Sequence, residues 1–283
     1  MPSASRDPLP AVLFDALLLD AALCPPRATS LADALSEHDR AVASAEGAWV
    51  GPLLVPSSQA AALRAAADPD AVLPMALVAD QGLLGLQEAR HAVQDDAWLH
   101  LTHVEIALPA GFAPAEATRA LLDELAFTVP TFVQVPRTGF DGALDVLAED
   151  GVEHATYRCG GAIDPADTGT VPADGEIAAF IHGCVSRGLT FALSGGLDHA
   201  VRGTDAATGA ARHGLLNALA AVAAARSGAG TTELAELMGT AQVETLLATV
   251  AAVAPRVLRE SLYGIACSNV AEPLADLRAL GLC

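Results

Sequence analysis

The densest group of chemically capable residues runs Ser194-Gly195-Gly196-Leu197-Asp198-His199, with Arg202 close behind. A carboxylate beside an imidazole suits general acid–base catalysis: Asp198 would orient His199, and His199 would take or deliver a proton. The Gly195-Gly196 turn lets the backbone approach a ligand, so with Arg202 it would hold a phosphate or carboxylate. His213 and Asn217 follow, four positions apart and so on one face of a helix. His213 would be a second proton carrier, and the start of that helix would favour an anion. A second stretch reads Tyr157-Arg158-Cys159-Gly160-Gly161. Arg158 is a fixed cation suited to bidentate carboxylate or phosphate recognition, and Gly160 and Gly161 let the chain close around a ligand. Cys159, next to that cation, is expected to have a lowered thiol pKa and to act as nucleophile or acid. A small buried filler is the competing reading for it.

Four more residues belong to the same list. Arg137 ends a strand beside Gln134 and would meet an anionic or amide group. His103 and Glu105 are two apart and share a strand face, about 7 Å from each other if that face is interior. Cys267 ends the last strand and would border the same mouth. His103, Glu105, His199 and His213 together offer a mixed nitrogen and oxygen set for a metal. No spacing in the sequence forces that, so neither a metal nor a cofactor is expected.

The elements that must position these residues alternate. Short apolar runs at 49–55, 72–79, 99–108, 131–135, 154–158 and 189–193 are each followed by a helical pattern. Such alternation means right-handed βαβ units and a parallel sheet. With no GxGxxG after the first strand, a TIM-like α/β barrel is favoured over a dinucleotide-binding sheet. Its active site would lie at the C-terminal ends of the strands, where most of these residues fall. Helices are expected over 9–44, and a helical insertion at about 227–261 precedes a last strand at 263–267. That makes seven strands, one short of closure, in a single domain over 1–283. An eighth is expected to be absent or hidden near 201–211.

Composition narrows the chemistry. All 15 cations are Arg, and the chain has no Lys at all. Schiff-base nucleophiles, pyridoxal-phosphate anchors and P-loop lysines are therefore excluded. The 34 acidic residues give a net charge of −19, which argues against nucleic acid and anionic membrane surfaces as partners. Five scattered cysteines form no CxxC, and Asp15 and Asp20 interrupt the apolar N-terminal stretch, so a cytoplasmic location is expected. A homodimer through the apolar 212–262 segment is expected as well.

Two strand ends resemble a known family. Thr156-Tyr157-Arg158-Cys159-Gly160-Gly161 and Ala192-Leu193-Ser194-Gly195-Gly196-Leu197 are similar to the paired late strands of deoxyribose-phosphate aldolase-type barrels. Residues 150–283 also resemble an uncharacterised bacterial barrel group, through Arg158, Gly160, Gly161, Gly196, Leu197, His199, His213-Gly214-Leu215-Leu216-Asn217 and Glu272-Pro273. The resemblance implies a barrel and carries over no activity. Where the aldolase pattern has its lysines, this chain has Thr156 and Ala192, and Asp198 replaces a His of the second group. An amine-dependent aldol mechanism is excluded. The expected activity is lysine-independent acid–base chemistry, of lyase or isomerase type, on a small anionic metabolite. A phosphoribosyl-type transferase and a non-catalytic binding barrel are the alternatives. The last would be favoured if Arg158, His199 and His213 fail to converge on one pocket.

Overall fold

The computed structural model describes residues 9–68, 70–125, 128–151, 154–160, 171–204, 209 and 211–282. Eight parallel strands close into a barrel: β1 (Leu18–Asp20), β2 (Val50–Pro56), β3 (Leu73–Val78), β4 (Leu99–Ala107), β5 (Thr131–Gln134), β6 (His154–Arg158), β7 (Phe191–Ser194) and β8 (Leu262–Cys267). Each pairs with its sequence neighbours, and β8 closes on β1 through Leu18↔Ile265 and Asp20↔Cys267. The α/β parallel barrel is thus complete.

The count of seven is corrected at the N-terminus. Residues 9–23 are not a helix: a single 3-10 turn at Ala11–Leu13 leads into β1. A short apolar run such as Leu17-Leu18-Leu19 fits a buried strand as well as a helix face, and periodicity alone does not separate them. The barrel decides, because β1 fills the gap between β2 and β8. The described residues of the 201–211 region supply no wall strand. Gly203–Thr204 and Ala211–Arg212 pair there as a small antiparallel ribbon.

The helices are α1 (Leu31–Val42), α2 (Ala60–Ala66), α3 (Gly82–Val93), α4 (Pro114–Glu124), α5 (Asp141–Asp150), α6 (Asp174–Arg187), α7 (Leu215–Arg226), α8 (Thr231–Gly239), α9 (Val243–Ala251), α10 (Pro255–Ser261) and α11 (Ala271–Ala279). The expected extra helices before the last strand are α8 to α10. Every residue of α7 except Arg226 is buried, with α6, α8, α9 and α10 packed around it. Its all-round apolar composition therefore serves the subunit's own core. Within the 212–262 segment expected to form a dimer face, α7 has that role.

Strand alternation produces two cores. Leu53, Val55, Met75, Leu77, Val104, Val133, Tyr157, Phe191, Leu193 and Ile265 face outward into the helix layer. Leu19, Leu54, Ala76 and Ala266 face inward and form a separate small cluster. The lumen is thus lined by small or polar side chains at many positions, which leaves room at its mouth. No helix is long and apolar enough to cross a membrane among the described residues.

Candidate functional site

The C-terminal mouth of the barrel holds a cavity of about 300 Å³. Asp80, Glu105, Gln134, Arg158, Ser194, Gly195 and Ser268 supply its polar lining, and Cys24, Pro25, Leu54, Val78 and Ala266 are among its apolar neighbours. Each polar residue except Glu105, which lies two residues before the end of β4, ends or follows a strand near the opening.

Arg158, the last residue of β6, faces inward in the same alternation that turns Tyr157 toward Phe180 outside. Its Nη2 donates to the Pro25 carbonyl at 3.1 Å. Asp80 follows β3 and accepts from the Ser57 hydroxyl at 2.6 Å, the Ser58 N–H at 3.0 Å and the Ser58 hydroxyl. Burial pushes its carboxyl up, but those donors outweigh burial and hold it below the ordinary value. Asp80 is therefore an anion that fastens the β2 and β3 ends together. Cys24 is no thiolate: burial, reinforced by Glu105, pushes its thiol up to about 12 despite Arg158.

Glu105 sits on β4 with His103 two residues below it, both facing the lumen as their spacing predicts. His103 is fully buried and Glu105 is 6% exposed. His103 Nε2 lies 3.5 Å from Glu105 Oε1, close enough for an ion pair, yet neither atom has a hydrogen-bond partner. The other ring nitrogen, Nδ1, is 2.9 Å from Thr102 Oγ1 and 3.3 Å from the Tyr263 hydroxyl. Phe132 and Tyr263 pack edge-on against the imidazole.

The loops after β6 and β7 touch. A Cβ on Gly195 would stand 2.7 Å from the Gly160 carbonyl, and one on Gly160 would stand 2.8 Å from Gly196 Cα. Gly195 and Gly196 have φ of 68° and 73°, the left-handed region that suits glycine. These glycines first of all let two loops pack together. Gly195 also lines the cavity, although its N–H donates to the Ala266 carbonyl at 3.1 Å. Gly161 lies outside the described residues.

The other expected residues do not reach the mouth. His199 Nε2 accepts from Arg212 Nη1 at 2.7 Å, which leaves Nδ1 to donate to Asp276 Oδ2 at 3.0 Å. Both ring nitrogens are occupied, so His199 is a clamp onto α11. Asp198 turns away from it and accepts from the Ser268 N–H at 2.5 Å and the Ser268 hydroxyl at 3.1 Å, tying the β7 and β8 loops. His213 precedes α7, which starts at Leu215 after Gly214, so it does not share a helical face with Asn217. Its Nε2 donates to the Pro172 carbonyl at 2.8 Å, and burial lowers its pKa. Asn217 is buried and donates to the Leu237 and Thr240 carbonyls, each at 2.7 Å, while accepting from Arg202 N. Arg202 binds Asp174, and Arg137 forms a fork with Glu176 at 3.0 and 2.7 Å. These four residues organise the β7–α7 and β5–α6 regions.

Cys159 and Cys267 require a second correction. Both are fully buried and face the helix layer rather than the lumen, because they alternate with Arg158 and Ala266. Burial pushes both thiols well up, and for Cys159 this overrides the lowering by Arg158. The four residues considered for a metal are likewise apart: His103 and Glu105 share the lumen, His199 sits against α11, and His213 against Pro172. Among the described residues no group of three or more His, Cys, Asp and Glu is arranged to hold a metal.

Thr156 and Ala192 are register partners on β6 and β7. They occupy the lumen one inward position below Arg158 and Ser194. The Thr156 hydroxyl is buried without a hydrogen-bond partner. Asp80, Ser57, Thr102 and Tyr263 are functional neighbours that motif reading missed. Asp80 alone carried a signal, as a carboxylate directly after an apolar strand.

No family model, curated protein or solved structure matches this chain. A closed parallel barrel hosts many reactions, so the chemistry has to be argued from the mouth itself.

Proposed function

We propose that the barrel mouth binds a small metabolite by its anionic group at Arg158 and moves a proton next to a carbonyl with Glu105, as a lyase or isomerase. The observation that carries this reading is the convergence of one guanidinium and one buried carboxylate on one cavity. Arg158 would fix phosphate or carboxylate and stabilise charge that develops on the substrate. Glu105 would take the proton and return it. Ser194 offers a hydroxyl to the carbonyl oxygen, in place of the amine that this chain lacks. Acid–base transfer of this kind contributes about 10²- to 10⁴-fold.

A non-catalytic binding barrel is the second reading, favoured by the placement of His199 and His213 away from the mouth. The transferase reading loses support because Arg137 and Arg202 are engaged by Glu176 and Asp174. One experiment separates catalysis from binding. Small phosphate- and carboxylate-bearing keto and hydroxy compounds are offered to the protein in deuterated water. The catalytic reading expects binding with solvent deuterium entering the carbon next to the carbonyl, and loss of that exchange in Glu105→Gln. Binding without exchange in any compound would support the second reading.

A further inference from the structure

We propose that His103 and Glu105 hold a proton between Nε2 and Oε1, in addition to the one on Nδ1, and that His103 is thereby the positioning residue for Glu105; this rests on the reading of the mouth given above. Thr102 Oγ1 donates to the Met75 carbonyl at 3.1 Å, which uses its one proton. At 2.9 Å from His103 Nδ1 it must therefore accept, so Nδ1 carries a proton. The Tyr263 oxygen at 3.3 Å is a second acceptor for the same N–H.

A neutral imidazole protonated at Nδ1 presents a lone pair at Nε2. Opposite it stands Glu105 Oε1, itself an acceptor when ionised, 3.5 Å away and buried. Two buried acceptors facing each other repel, and each lacks a donor. One proton between them removes both faults and leaves the pair neutral overall, which suits its burial. The groups around the pair are Tyr263 from β8, His154 from β6 beyond Phe132, Cys24 after β1 and Arg158 at the mouth. Asp80 lines the same cavity as a second carboxylate, but its oxygens already accept from the Ser57 hydroxyl and from the Ser58 N–H and hydroxyl, so it does not need the same proton.

The step then balances. A substrate C–H bond breaks and its electron pair stays on the substrate as an enolate. The proton joins Glu105, and the proton already shared moves fully onto His103 Nε2. The pair goes from one shared proton to two and gains one positive charge as the substrate gains one negative charge. Return of a proton from Glu105 reverses it.

The test is nitrogen and proton NMR on the full chain labelled at histidine, without ligand, near neutral pH. Expected are a protonated Nδ1 on His103 and a low-field proton resonance at the Nε2 side. Glu105→Gln should abolish the low-field resonance while the Nδ1 proton stays. If that variant does not fold, Glu105→Asp, which draws the carboxylate back, should weaken the same resonance. An unprotonated Nδ1, or a low-field resonance that is absent or survives loss of the carboxylate, overturns the inference. The signature needs no ligand, so it fails or stands separately from anion binding at Arg158.

Discussion

At the scale of single residues, position relative to the barrel wall decides what each group can do. Arg158 and Cys159 are adjacent in sequence, yet one reaches the lumen and the other the helix layer. Adjacency to the Arg158 cation made Cys159 a candidate nucleophile, and the alternation of the wall supports the competing reading, a small buried filler. Thiol alkylation of the folded protein should leave Cys159 unmodified and be unaffected by Arg158→Gln, because burial sets the Cys159 thiol. Arg158→Gln should instead lose anion binding at the mouth, measured by calorimetry. Asn217→Ala should cost roughly 1–3 kcal/mol in denaturant unfolding, since it leaves the Arg202 N–H without its acceptor and the Leu237 and Thr240 carbonyls without their donor. Sequence motifs marked Asn217, His199 and His213 as polar residues in one region. They could not show that each finds its partners within the wall and loops. Those partners, such as Asp276 for His199, lie as far as 77 positions away.

At the scale of elements, most of the barrel was legible because each strand is an apolar run followed by a helix pattern. The helix expected after the 154–158 run is α6, at residues 174–187. The first strand was not legible. It has three residues, and its role depends on the empty place between β2 and β8 that no local pattern reveals. The paired glycines were legible as a turn, but their tightest demand comes from across the gap between two loops. Gly195→Ala should therefore destabilise the fold by roughly 1–3 kcal/mol, from its left-handed φ together with the 2.7 Å approach to Gly160. Thermal unfolding of that variant checks it. An unchanged midpoint would mean that the two loops separate freely.

At the scale of the whole molecule, buried imidazoles and hydrogen-bonded carboxylates set the response to acid. His213 and His154 have folded pKa values below the ordinary 6.5, each chiefly through burial. Above 6.5 both are neutral in either state. As the pH falls through that value the unfolded chain takes up protons first, so stability declines. Asp80, Glu46 and Glu176 lie below their ordinary carboxylate values, so what they contribute near neutrality is lost at still lower pH. Unfolding midpoints should fall in two stages on acidification, and His213→Gln should shallow the first. Catalysis at this barrel requires above all that an anion bind at the mouth. A crystal structure grown with a small phosphate- or carboxylate-bearing ligand tests that most directly. It should show the anion on Arg158, inside the cavity that Glu105 lines. An anion held instead by Arg202 and His199, with the mouth empty, would contradict it.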